Sequence, residues 1–237
     1  MESNIIKYVS RNNLIVFRYD FNDKLDNYLC EINKHDTIFL DKYFNNDISI
    51  LPPNITTIIF HSLSEFNQKI KDFPYNLKKI VFGIKFTKSL DYLPSSIEEL
   101  EFDINSIFNN DLSNLPQSLK KITFGKNFTK SINNLPSNLE YLKISTLYNQ
   151  EIKIFPKKLK YLIFYKNNLF VTKKEEENYQ FEIKNLPNSL IEINYPNKYS
   201  YPIENIPQSL KILKINYDYE YQKNIKENFP DLKIYYY

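Results

Sequence analysis

The chain has 237 residues, 42% of them hydrophobic and 16% aromatic, with two glycines, no tryptophan and a formal charge of +3. That charge is too small for the concentrated basic face of a nucleic-acid domain. One cysteine, Cys30, excludes an intramolecular disulfide framework, and no apolar run reaches the length of a membrane span.

In chain order, Met1 to Ser10 lacks the apolar run of a signal peptide, which makes a cytoplasmic location the expectation. Ile5, Ile6, Tyr8 and Val9 are apolar enough to cover the start of a repeat array. Ile15 with Phe17 and Ile38 with Leu40 are predicted as short strands. Phe21-Asn22 with Leu25 and Tyr28 reads as a degenerate first repeat, so residues 1–36 form an N-terminal cap and first unit. Cys30 is expected to be a buried thiol of that unit and His35 a loop residue ahead of the second strand.

From residue 37 to 215 one motif recurs, an apolar residue and proline followed by apolar residues three, six and eight positions on. The prolines are Pro52, Pro74, Pro94, Pro116, Pro136, Pro156, Pro187 and Pro207. The triplets run from Ile55, Ile58, Phe60 to Leu210, Leu213, Ile215, and the last two members of each, two apart, share one face of a short strand. Eight positions before each proline stands an aromatic: Phe44, Phe66, Phe86, Phe108, Phe128, Tyr148, Tyr179 and Tyr199. Stacking would align these rings in a spine. Asn45, Asn67, Thr87, Asn109, Thr129 and Asn149 follow the first six rings, as expected where a tight turn must satisfy buried backbone groups. A unit of about 20 to 22 residues cannot bury its own apolar face, so the copies must stack around one continuous core.

Between Phe164 and Tyr179 an insertion at about 166–178 carries Lys173-Lys174-Glu175-Glu176-Glu177 and reads as a solvated excursion at the rim. Residues 216–237 form a C-terminal repeat and cap, in which Leu232, Tyr235 and Tyr237 take the triplet positions and Tyr235 to Tyr237 cover the end. The whole chain is thus predicted as a single repeat solenoid, 1–237.

Phe128-Thr-Lys-Ser-Ile-Asn-Asn-Leu-Pro-Ser-Asn-Leu-Glu-Tyr-Leu-Lys-Ile144 and Phe86-Thr-Lys-Ser-Leu-Asp-Tyr-Leu-Pro94 resemble the unit of the FNIP-repeat proteins, a divergent branch of leucine-rich repeats known from social amoebae and giant DNA viruses. The resemblance runs over roughly residues 12 to 237. The repeat register gives about eleven short strands, and the resemblance implies that they form a curved array with a concave parallel sheet, irregular convex segments and little helix. It also implies a protein-binding role, on host proteins for a viral member, and transfers no catalytic residue. Family members often begin with an F-box, but no Leu-Pro-x-Glu-like opening is evident here.

With the triplets inward, the intervening residues form columns on the concave face. One column reads Lys78, Glu98, Lys120, Glu140, Lys160 and the next Lys79, Glu99, Lys121, alternating in sign between neighbours. This is either a solvated ladder that disfavours register slips or a charged recognition strip. Toward the C-terminal half the columns become aromatic. Tyr141, Lys143, Tyr161, Ile163 and Tyr165 are the candidate partner-binding residues, because Tyr buries a large area at low entropic cost. The Tyr-rich composition of the whole chain is the competing explanation of that cluster.

Enzyme chemistry has no foothold in the motifs. His35 and His61 are the only histidines; there is no His/Cys cluster for a metal, no Gly-rich phosphate loop and no nucleophile elbow. The expectation is therefore a non-enzymatic scaffold with no cofactor, catalytic residue or metal, binding a protein partner. A nucleic-acid binder or a self-assembling structural protein is the alternative, the latter by dimerisation through the solenoid ends.

Overall fold

The computed structural model describes residues 7–166 and 179–237; Ile5, Ile6 and most of the insertion lie outside them. Among the described residues, twelve strands form one sheet in strict chain order. They are β1 (Tyr8–Arg11), β2 (Leu14–Phe17), β3 (Thr37–Leu40), β4 (Thr57–Phe60), β5 (Lys79–Phe82), β6 (Glu99–Phe102), β7 (Lys121–Thr123), β8 (Tyr141–Ser145), β9 (Tyr161–Tyr165), β10 (Glu192–Asn194), β11 (Ile212–Ile215) and β12 (Lys233–Tyr236). From β2 onward every pairing is parallel, one strand per turn of a solenoid.

The register is set by the first strand residue of each triplet. Ile15, Ile38, Ile58, Ile80, Leu100, Ile122, Leu142, Leu162, Ile193 and Leu213 pair in one unbroken row, and all are fully buried. A slip of one residue would bring the intervening Lys and Glu into that row, which is why the register is strongly specified.

Behind the strands two columns of rings run along the array. Phe60, Phe82, Phe102 and Phe124 stack at 5.6 to 6.3 Å, and the spine from Phe44 to Tyr179 stacks at 6.0 to 6.4 Å with nearly parallel planes. Within a turn the two columns touch, as in Phe82 on Phe86 at 3.8 Å. Ring spacings exceed the roughly 4.8 Å between paired strands, consistent with an array bent around its sheet.

In the first half of the array the polar residue after the spine ring ties adjacent turns together. Asn22 Oδ1 accepts from Asn45 N, Asn45 Oδ1 from Asn67 N, Asn67 Oδ1 from Thr87 N and Asn109 Oδ1 from Thr129 N, each at 2.8 to 2.9 Å. A second tie lies two residues after the proline. Asn54 donates to the His35 carbonyl, Ser96 to that of Leu77, Asn138 to that of Gln117 and Ser209 to that of Leu190. Each proline carbonyl in turn accepts from the amide three residues on, as Pro74 does from Leu77 at 2.9 Å. This closes the turn that aims the chain into the strand.

The ends depart from expectation. β1 folds back antiparallel on β2, a hairpin turned through Asn12 at φ 50°, where Asn tolerates the left-handed region. Tyr8 caps as predicted, its ring 5.9 Å from Phe17, but Val9 on the other face of the strand is 51% exposed. The first unit contains a short 3-10 turn, Leu25–Tyr28, leading into helix α1, Leu29–Ile32. Leu29 and Ile32 take the inner face of α1, which puts Cys30 outside; the thiol is exposed rather than buried. His35 occupies the expected turn but is buried there, with Nδ1 3.1 Å from the Asn12 carbonyl oxygen.

At the far end helix α2, Gln222–Asn228, replaces the irregular return segment and buries Ile225. It also shifts the last strand by one residue. Ile234, not Tyr235, pairs with Leu213, and Tyr235 pairs with the outward Lys214. The predicted parity would have turned Lys233 inward together with Tyr235, at the cost of burying an ammonium. Tyr235, Tyr236 and Tyr237 are accordingly more exposed than a cap requires.

Candidate protein-binding face

On the solvent side of the sheet the charged columns neutralise themselves. Glu98 accepts from Lys78 at 3.2 Å and from Lys120 at 2.6 Å, and Lys160 donates to Glu140 at 2.8 Å. One row in, Lys79 and Lys121 share Glu101, at 2.6 and 3.0 Å, and both reach Glu99. Burial alone would raise the Glu101 carboxyl, but the hydrogen bonds and charges of the two lysines outweigh it and hold the group below the usual carboxylate range. The lattice resumes on the far side, where Lys214 donates to Glu192 at 2.8 Å.

β8 and β9 interrupt it. Tyr141 pairs with Tyr161 and Lys143 with Ile163, so the first outward positions of these strands carry two rings where β5 to β7 carry Lys79, Glu99 and Lys121, and Ile163 stands beside Lys143. The rings lie 6.1 Å apart at 40°, with Tyr161 36% exposed and Tyr141 half-buried. Lys121 sits 5.5 Å from the Tyr141 ring centre and links the aromatic pair to the lattice. Burial pushes the Tyr141 phenol up from its ordinary value, so it stays a neutral hydrogen-bonding group.

Four of the five predicted residues, Tyr141, Lys143, Tyr161 and Ile163, are thus brought together on one open surface. Tyr165 is not part of it in the same sense. Only 9% exposed, it donates its hydroxyl across two turns to the Phe124 carbonyl at 2.9 Å. Burial raises its phenol strongly. The outward parity of position 165 was right; what turned the ring down was an unpaired carbonyl two strands away, which no local pattern reveals. Lys143 lies 5.1 Å from this ring's centre. His61, also on this face, sits edge-on to Phe39 and accepts from the Leu63 amide.

A second break in polarity escaped the sequence reading. Val9, Val16, Phe39, Ile59 and Val81 pair in register across β1 to β5, an apolar row along the same outward face. It continues through Glu101 and Thr123 to Lys143 and Ile163. The signal was present, since Ile59, Val81, Lys143 and Ile163 all stand seven residues after their prolines.

Comparison with known proteins supports the fold. The FNIP Repeat model matches residues 66–103 and 108–147. Among solved structures, the chain is similar to CroV588, described as a novel circular LRR protein, with a TM-score of 0.54 and 26% identity. The similarity covers 90% of this chain but 38% of that one, so the present chain spans well under half the length of its neighbour. No curated protein matches. Among the described residues no helix is long and apolar enough to cross a membrane, and no cluster of His, Cys, Asp and Glu could hold a metal ion.

Proposed function

Since the chain is an FNIP-repeat solenoid of the leucine-rich-repeat kind, we propose that it is a non-enzymatic scaffold that binds a protein partner on the outward face of its sheet, centred on Tyr141 and Tyr161. The observation that carries this reading is the interruption of the charge lattice at β8 and β9. Elsewhere the outward lysines are hydrogen-bonded to glutamates, whereas here two rings and Ile163 meet solvent. Paired tyrosines ringed by neutralised polar groups have the composition of an interface core with a polar rim. The nucleic-acid alternative lacks comparable support, because Glu98, Glu99 and Glu101 lie among the lysines that would meet phosphate.

The test is affinity capture from a cell lysate at two salt concentrations, comparing the natural chain with Tyr141→Ala/Tyr161→Ala. Tyr165 is left intact because its hydroxyl bond is structural. The reading expects a salt-resistant protein that the double variant loses while its denaturation midpoint stays near that of the parent. Undiminished capture by the variant would place the contact surface elsewhere.

A further inference from the structure

Lys143 differs from the other lysines of its face. Lys79, Lys121 and Lys214 each hold a glutamate oxygen within 3.0 Å, whereas no described carboxylate lies within 4.0 Å of Lys143. Its ammonium group instead stands beside the Tyr165 ring, at the mouth of a pocket of about 530 Å³. The pocket exists because neighbouring strands differ in length. β8 and β9 run five residues each and β10 only three, so the sheet surface drops beyond Asn194. Lys143, Ile163, Tyr165, Lys166, Asn194 and Tyr237 are among the residues that line the step.

Both tyrosine hydroxyls are turned away to backbone carbonyls, Tyr165 to Phe124 and Tyr237 to Tyr195, and line the pocket with ring surface. Two lysines, Lys143 with no described carboxylate partner and Lys166, beside the ring faces of Tyr165 and Tyr237, are complementary to a carboxylate carried next to an apolar residue.

We propose that this pocket receives an acidic side chain of the partner, a Glu or Asp of an extended segment. Its carboxylate meets Lys143 Nζ, and a neighbouring apolar residue lies over Ile163 and Tyr161. The assignment rests on the reading of the Tyr141–Tyr161 face as the contact surface and adds the chemistry of what it contacts.

The probe is an array of terminally blocked peptides of the pattern apolar-x-Glu-x-apolar, each paired with its Gln counterpart and exposed to the full chain. A charge-assisted hydrogen bond predicts a Glu-over-Gln preference of roughly tenfold or more. Lys143→Arg should retain the preference, Lys143→Gln should reduce it, and Lys143→Gln/Lys166→Gln should abolish it. Lys143→Glu should turn it toward Lys-containing peptides. Equal binding of Glu and Gln peptides, an undiminished preference in Lys143→Gln, or no binding of any peptide would each overturn the pocket assignment. The face itself fails separately, through undiminished lysate capture by Tyr141→Ala/Tyr161→Ala.

Discussion

At the scale of single residues, most positions act through what the next turn of the solenoid allows. Gly125 shows this most sharply. A Cβ there would stand 2.7 Å from the Asp103 carbonyl oxygen and 2.9 Å from Ser106 Cβ, so glycine is required by close approach between turns rather than by a positive φ. Ser106 is itself buried and fixed, its Oγ accepting from the Phe108 amide that starts the next spine position. Gly125→Ala is therefore expected to destabilise the chain by about 1 to 3 kcal/mol through overpacking. A urea denaturation midpoint equal to that of the parent would refute the close-approach argument.

At the scale of elements, the strands are held in place by buried rows and by the charge lattice over them. The lattice contributes modestly in water, since exposed pairs are worth well under about 1 kcal/mol each. Glu101, shared by two lysines and only partly exposed, is the member most able to register in stability. Its folded-state pKa lies below the ordinary carboxylate value, so its contribution is present above the unfolded pKa and is lost as pH falls through the folded one. Denaturation followed from neutral pH into the acid range should show a decline that is smaller in Glu101→Gln than in the natural chain. Identical pH profiles would mean that the lattice sets register without adding stability.

For the whole molecule, the core has a polarity along its length. The spine is Phe21, Phe44, Phe66, Phe86, Phe108 and Phe128 in the first half and Tyr148, Tyr179, Tyr199 and Tyr219 in the second. The tyrosine hydroxyls are engaged with backbone, Tyr179 accepting from the Ile152 amide at 3.1 Å and Tyr199 from the Ile183 amide at 2.8 Å. Burial pushes Tyr179 up to about 12, and Tyr148, Tyr199 and Tyr219 rise as well. A raised folded-state value means stability that is full below the ordinary phenol pKa of 10.0 and lost as pH climbs through the folded value. Alkaline unfolding should thus start above about pH 10 and in the C-terminal half. Tyrosinate absorbance, circular dichroism and brief proteolysis at rising pH would locate it, and sheet signal persisting after every tyrosine has ionised would contradict the assignment.

The proline-anchored period, the inward triplets and the ring spine were legible in the amino-acid sequence, because a repeat that cannot bury its own apolar face must present the same pattern in every copy. Tyr141, Lys143, Tyr161 and Ile163 were legible for the same reason, since outward parity follows from inward parity in a strand. What does not repeat was decided by the tertiary structure. The β1 hairpin, helix α2 and the shifted parity of β12 fall outside the repeated pattern, and burial of Ile234 over Lys233 decides the register of β12. The burial of Tyr165 against the sheet and the pocket beside Lys143 depend on a carbonyl two turns away and on the short β10 strand, relations between turns that no single repeat encodes.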